Sequence, residues 1–410
     1  MKIAIYWEQH EWGGVDSHLL TLLSTWPEVH DEFVLIYNKG NAGLERIEPE
    51  LKKFKNIKLL EISSYSYNEL LSKLSKSFIL RLLRPLIYFI QPALYLLMVM
   101  KLKSIFKVES GIDVLIANNG GYPAAWGCIS SIVAAKRVGI NVRLLLVHHE
   151  ATRPNIFMCL FERYIDRMVV NNSNAIICPS YATRDTILER RWIMANSVRI
   201  RVIYNLVHDS YNSSPNIVDI REQVNDNSSI LVGIVGRVQP YKGHEDIIFA
   251  ISRMSEKDKK IIMLAIVGAG DNHEIQRLKS LARKLNVSDN VYFLGYIEGH
   301  SIDIVSQFNV LVVATRSFEG FGLTIAEAMV AGTPVLATKV GAIPEIINSS
   351  VATLVNPCSP QEISISLSDY IANKERWLQK AEYAQDHIKT ISGNMSEEYR
   401  RLILECIDES

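Results

Sequence analysis

Arg316-Ser317-Phe318-Glu319-Gly320-Phe321-Gly322-Leu323-Thr324-Ile325-Ala326-Glu327 sets two carboxylates, with seven residues between them, around a glycine-rich turn. The run before it, Asn309-Val310-Leu311-Val312-Val313-Ala314-Thr315, is an almost unbroken apolar stretch of strand length, and the residues from Leu323 read as a helix that stops at Gly332 ahead of Pro334. The carboxylates therefore flank a strand-to-helix turn. Ligands in open α/β sheets sit beyond the carboxyl ends of strands, and a helix start offers unpaired N–H groups to an anion. Gly320 and Gly322 let the backbone approach such an anion closely. Glu319 falls on the loop; Glu327 falls about one turn inside the helix, its side chain leaning back towards the N-terminus.

A second segment has the same design. Ile230-Leu231-Val232-Gly233-Ile234-Val235 reads as a strand, followed by Gly236-Arg237-Val238-Gln239-Pro240-Tyr241-Lys242-Gly243 and an amphipathic stretch through Met254. Arg237 supplies a planar fork of donors and Lys242 a point charge, a pair better suited to a diphosphate than to one carboxylate. Carboxylates accept protons from sugar hydroxyls, so two acids beside two bases point to a sugar nucleotide.

The remainder of the chain bounds that reading. Its 410 residues are 48% hydrophobic, enough for two cores of ordinary domain size. Lys plus Arg and Asp plus Glu both number 44, so no global field favours nucleic acid, and an anion site has to be local. The five cysteines are scattered, odd in number and without C-x-x-C spacing, which fits a reduced, cytoplasmic chain with no metal site. Met1-Lys2-Ile3-Ala4-Ile5-Tyr6-Trp7 runs straight into a first strand without a basic leader and cleavage site.

Strand patterns alternate with helical ones, predicting parallel sheets wrapped by helices. In the first half strands are expected at 2–7, 32–38, 56–62, 113–118, 142–148, 175–179 and 199–204, with helices starting near Val15, Pro123, Asn155 and Tyr181. The second half repeats the scheme at 229–236, 260–267, 290–295, 309–315 and 334–338. The polar run 209–216 is the linker candidate, dividing the chain into domains 1–210 and 211–410, with a C-terminal helix at about 385–410 able to pack back on the first.

Three further motifs carry chemistry. Gly13-Gly14 follow the first strand and precede a helix, so their amides either face a phosphate or form a plain tight turn. Asp16 beside them suits a capping role. Leu144-Leu145-Leu146-Val147 ends in His148-His149-Glu150, where an imidazole can hydrogen-bond a sugar hydroxyl or serve the fold; the three are not spaced for zinc. Gly268-Ala269-Gly270-Asp271 lacks the third glycine of a dinucleotide fingerprint and is taken as a turn near the nucleotide base.

Taken together, Gly236-Arg237 with Lys242-Gly243, the Glu319–Glu327 pair, and Pro334-Val335 with Gly341 and Glu345 resemble the retaining glycosyltransferases of family 4. Gly13-Gly14-Val15-Asp16-Ser17-His18 resembles that family's opening motif with Asp16 in place of Glu, and Leu206 after Asn205 stands where a glycine is usual. The resemblance implies an α/β GT-B fold, two Rossmann-like domains with parallel sheets facing across a cleft, the first binding the acceptor and the second the nucleotide sugar. It implies a metal-independent, cofactor-free transfer to an acceptor hydroxyl in polysaccharide, lipopolysaccharide or glycolipid synthesis. Arg237 and Lys242 then hold the diphosphate, Glu319 the donor sugar, Glu327 the ribose, and His148, with His149 as its alternative, faces the sugar. Gly13, Gly14 and the turn Gly320-Phe321-Gly322-Leu323 complete the donor site. A GT-B epimerase or phosphorylase, or a non-catalytic nucleotide-binding assembly protein, are the competing readings.

The stretch from Phe78 to Met100 is apolar, interrupted by Gln91-Pro92 and accompanied by the basic residues Arg81, Arg84, Lys101, Lys103 and Lys107, so that 78–107 is the candidate for membrane contact. It is too short and broken to span a bilayer. Two readings stand: a peripheral helix on the cytoplasmic membrane face, meeting a lipid-linked acceptor, or a helix of the first domain's core.

Overall fold

The computed structural model describes residues 1–10, 13–63, 84–154, 159–190, 199–207, 218–224 and 228–409. They form two compact units, Met1–Tyr204 with Asn394–Ser410, and Asn205–Gly393. The first unit carries strands β1 Lys2–Trp7, β2 Glu32–Asn38, β3 Ile57–Ile62, β4 Val114–Asn119, β5 Val142–Val147, β6 Ala175–Cys178 and β7 Arg199–Val202. Its helices are α1 Gly14–Ser24, α2 Leu44–Leu51, α3 Arg84–Val108, α4 Trp126–Val138, α5 Cys159–Asn172 and α6 Tyr181–Leu188. The sheet is parallel, in the order β3-β2-β1-β4-β5-β6-β7. β1, β4 and β5 are buried along nearly their whole length, so they read as continuous apolar runs rather than alternating ones.

The second unit carries β8 Ile230–Val235, β9 Ile262–Val267, β10 Val291–Gly295, β11 Val310–Val313, β12 Val335–Thr338 and β13 Thr353–Val355. Its helices are α7 Ile220–Val224, α8 His244–Ser252, α9 Glu256–Lys259, α10 Asn272–Lys284, α11 Ser301–Val305, α12 Leu323–Ala331, α13 Ile343–Ile346, α14 Pro360–Ala372 and α15 Lys374–Ser392. Its parallel sheet runs β10-β9-β8-β11-β12-β13. The order reverses between β8 and β11, and helices leaving neighbouring strands in opposite directions open a crevice at such a point. Gly236–Gly243 follow β8 and Thr315–Gly322 follow β11, so both motif loops issue from that crevice.

The division of the chain differs from the expected 1–210 and 211–410. β7 ends at Val202, Ile203 still donates to the Cys178 carbonyl, and the second unit starts at Asn205. The linker candidate 209–216 lies outside the described residues. At the other end only α16, Met395–Asp408, returns to the first unit, not the whole of 385–410. The reason is burial: α15 packs Trp377, Ala381, Ala384 and Ile388 into the second unit, with Trp377 edge-on to Tyr370. α16 instead buries Met395, Tyr399, Leu402 and Ile403 in the first. There Ser396 meets Thr25 at 2.6 Å and Arg400 lies 3.6 Å from Asp31.

Smaller differences have local causes. β13 was not expected because Thr353-Leu354-Val355 is too short to announce itself. The helix expected near Pro123 begins at Trp126. The start expected near Asn155 lies outside the described residues, and α5 is described from Cys159.

Candidate functional site

The second unit gathers the two motif loops. Gly236, Arg237, Lys242, His244, Thr315 and Thr324 line one pocket beyond the ends of β8 and β11. Two glycines bring its walls together. At Gly243 the backbone is left-handed (φ 73°), and an added Cβ would stand 2.0 Å from the Ala314 carbonyl oxygen. At Gly341 a Cβ would stand 2.3 Å from the Glu319 carbonyl oxygen, which accepts from the Ala342 N–H at 2.9 Å. Gly341 thereby seats the Glu319 loop. Gly322, also left-handed, caps the start of α12, and Gly332, again left-handed, ends that helix as its sequence predicts.

Within the pocket Lys242 Nζ donates to Glu319 Oε2 at 2.8 Å, and Thr315 Oγ1 donates to the same oxygen at 3.2 Å. Burial works against the Lys242 ammonium, yet Glu319 and Tyr241 beside it carry its pKa above the ordinary lysine value. The cation expected to hold phosphate and the carboxylate expected to hold sugar are thus ion-paired with each other. Glu327 lies deeper on α12. Its Oε2 has no hydrogen-bond partner, and burial pushes its pKa up to about 8, with only Ser301 of α11 opposing. Such a carboxyl is ready for hydroxyl donors that desolvation has denied it.

His244 was not singled out from the sequence. It is buried, neither ring nitrogen makes a well-formed hydrogen bond, and burial with the nearby Lys242 charge pushes its pKa down to about 4. Thr315, fully buried at the end of β11, was missed too. The signal for both is adjacency, one following the motif Lys242-Gly243 and the other ending a strand of the switch point. Phe321 is buried and Leu323 opens α12. The Gly268-Ala269-Gly270 turn takes a structural part: Val238 N donates to the Ala269 carbonyl at 2.9 Å, tying it to the Arg237 loop, and Asp271 caps α10 through His273 N at 2.6 Å.

Gly13, Gly14 and His148 belong to the first unit, at the carboxyl ends of β1 and β5. The Gly13 N–H is already taken by Asp16 Oδ1 at 3.1 Å, so the Asp16 side chain caps the start of α1. His148 Nε2 meets Asn118 Oδ1 at 2.6 Å, and burial pushes its pKa down to about 4, leaving a neutral ring. Its ring stands edge-on to His18, 4.4 Å between centroids, and His18 in turn meets Tyr399 Oη at 3.3 Å. His18 Nδ1 and Asn118 Nδ2 are left without partners.

α3 settles part of the reading of 78–107. Residues 78–83 lie outside the described residues. From Gln91 onward one face packs Tyr95, Met98, Val99, Leu102 and Phe106 into the core, while Ile90, Leu96, Leu97 and Met100 are exposed. The buried face belongs to the core of the first unit, as the second of the two readings expects. Among the described residues no helix is long and apolar enough to cross a membrane.

Residues 217–387 match the family model for glycosyl transferases, group 1. An uncharacterized glycosyltransferase of Methanocaldococcus jannaschii is 31% identical over 213 residues, 48% of this chain and 53% of its own length. A D-inositol 3-phosphate glycosyltransferase of Corynebacterium jeikeium is 28% identical over 174 residues, 41% of either chain. The chain thus spans about half the length of the curated relatives it matches, or less. Among solved structures, Anabaena HepE in complex with UDP superposes with a TM-score of 0.73 at 18% identity, covering 99% of this chain and 100% of that one. Sucrose-phosphate synthase from Thermosynechococcus elongatus gives 0.73 at 17% identity, covering 100% of both. Likeness at such identity shows the fold, two parallel-sheet α/β domains of the GT-B kind.

Proposed function

We propose that this chain, whose residues 217–387 match the family model for glycosyl transferases, group 1, moves a sugar from a nucleoside-diphosphate donor to an acceptor hydroxyl. The observation that carries the reading is the convergence at the β8/β11 switch point of Arg237, Lys242 and Glu319 in one pocket region, with Glu327 on the adjoining helix holding an unpartnered oxygen. The UDP bound to Anabaena HepE supports the donor class.

In this reading the diphosphate takes Lys242 from Glu319, and Arg237 and Lys242 stabilise the charge that builds on the leaving group. Glu319, released, accepts from donor-sugar hydroxyls, and Glu327 accepts from the ribose. The acceptor oxygen attacks the anomeric carbon on the face the phosphate leaves, the carbon–phosphate-oxygen bond breaks, and the departing phosphate oxygen takes the acceptor's proton. Configuration is retained and no metal is needed. The neutral His148, at the end of β5 in the first unit, offers a sugar a ring nitrogen. The first unit binds the acceptor, and the exposed apolar face of α3 with Lys103 and Lys107 rests on an anionic membrane where that acceptor is lipid-borne. Polysaccharide, lipopolysaccharide and glycolipid synthesis all use such acceptors.

Incubation with a panel of nucleoside-diphosphate sugars and a membrane-lipid extract tests this. The reading predicts release of nucleoside diphosphate, chelator-insensitive and acceptor-dependent, with the donor's anomeric configuration in the product. Isomerisation of the donor alone would make the protein an epimerase, transfer to inorganic phosphate a phosphorylase, and binding without turnover an assembly protein.

A further inference from the structure

Arg316 opens the Glu319 loop, yet its side chain reaches back to α8. Its Nε donates to Asp246 Oδ2 at 2.7 Å and its Nη2 to Asp246 Oδ1 at 2.6 Å, a bidentate fork, while Nη2 also stands 2.6 Å from Glu245 Oε1. Its backbone N–H donates to the Tyr241 carbonyl at 2.7 Å, one residue before Lys242. Glu245 is shared: Arg277 of α10 holds it at 2.5 Å and pairs with Glu274 through two further bonds of 2.7 and 2.8 Å. Hydrogen bonds that it donates to Asp246 first and Glu245 next raise the Arg316 pKa above its ordinary value, so the guanidinium stays charged throughout.

An isolated, partly exposed ion pair is worth little, and acidic residues in the first turn of α8 already meet the helix dipole. This arrangement differs because one planar group is clamped at three points between the two loops that carry Lys242 and Glu319. A lysine there could make only one of the forked bonds. We infer that Arg316 is a positioning residue: with Asp246, Glu245 and Arg277 it forms a charged frame that fixes Lys242 against Glu319, and so sets the seat of the donor diphosphate. The inference rests on the reading of the pocket as a nucleoside-diphosphate site.

Isothermal titration of UDP, GDP and ADP into the wild-type protein identifies the diphosphate that binds. That diphosphate and its parent nucleoside, the latter at millimolar concentration, are then titrated into Arg316→Met, Arg316→Lys and Arg316→Met/Asp246→Leu. A frame that seats the phosphates predicts a loss of about tenfold or more for the diphosphate in Arg316→Met, since small misplacements of a binding group carry large penalties. The nucleoside should bind as to wild type, Arg316→Lys should fall between, and the double variant should lose no more than Arg316→Met. Unchanged diphosphate affinity in both single variants, or equal weakening of nucleoside and diphosphate, overturns the frame. Should Arg316→Met not fold, Arg316→Lys alone decides between these results. Wild-type protein that binds none of the three diphosphates overturns the proposed function itself, and the frame with it.

Discussion

Arg190 in the first unit and Lys242 in the second are both cations held by carboxylates at loop ends, yet they are finished differently. Arg190 is buried and saturated: Nε reaches both oxygens of Asp166 at 3.0 and 3.1 Å, Nη2 reaches Glu162 at 2.9 Å, and Nη1 reaches the Thr152 carbonyl at 2.7 Å. Tyr122 Oη closes the cluster on Asp166 at 2.8 Å and lends its ring to the guanidinium at 5.0 Å. Around Lys242 the pairing is partial. Glu319 engages it, while the Glu327 oxygen and both His244 nitrogens wait without well-formed bonds. A saturated cluster holds a fold; an unsaturated one beside a pocket holds polar groups ready for a ligand, at a cost to stability.

The largest effect that can break this contrast is on folding. Arg190→Met leaves Asp166 and Glu162 buried without their counter-ion, and we expect a loss of about 3–5 kcal/mol in urea unfolding. A change under about 1 kcal/mol would mean that the cluster is no more structural than a surface pair. Next comes Lys242→Ala, expected to lower turnover about 10²–10³-fold, roughly 2.7–4 kcal/mol of transition-state stabilisation, by analogy with an oxyanion donor. Taking Lys242 out of this mostly buried pair should cost stability about 1–3 kcal/mol, less than the Arg190 change. Near-normal kcat/KM would remove Lys242 from the reaction.

Glu327 sharpens the contrast through pH. With its pKa raised from 4.5 to about 8 by burial, the native state holds a proton that the unfolded chain releases. Its contribution to stability is therefore full below about pH 4.5 and is lost as pH rises towards 8. Glu327→Gln should flatten that decline in urea midpoints measured across the window. Ribose hydroxyls favour the carboxylate, so donor binding at pH 7 should expel a proton, seen as a buffer-dependent heat in wild type and absent in Glu327→Gln. The smallest expected effect concerns α3. Sedimentation with anionic liposomes should weaken at high salt, and Lys103→Glu and Lys107→Glu should each cost about 1 kcal/mol. Wild-type protein that ignores such liposomes at low salt would leave the exposed Leu97 and Met100 face without this role.

Much of the fold was legible because parallel strands buried on both faces read as plain apolar runs, as in Leu144–Val147 and Val310–Val313. The strand order was legible only as a class, since the pairing of β8 with both β9 and β11 depends on contacts far apart in the chain. The return of a C-terminal helix was expected, but the same limit hid where it starts and what it meets, for nothing local in Met395–Asp408 names Thr25 and His18 as neighbours. At the site, charge and glycine spacing drew out Arg237, Lys242, Glu319 and Glu327. The Lys242–Glu319 pairing and the Arg316 fork were invisible, because partners 77 and 70 residues apart leave no periodic trace.

The central claim is that the pocket at the β8/β11 switch point takes a nucleoside-diphosphate sugar. Calorimetric titration of nucleoside-diphosphate sugars into wild-type protein and Lys242→Ala, both shown to be folded, tests it most directly. The account predicts that at least one donor binds the wild type and binds Lys242→Ala at least tenfold more weakly; no binding across the panel, or equal affinity in the two proteins, would contradict it.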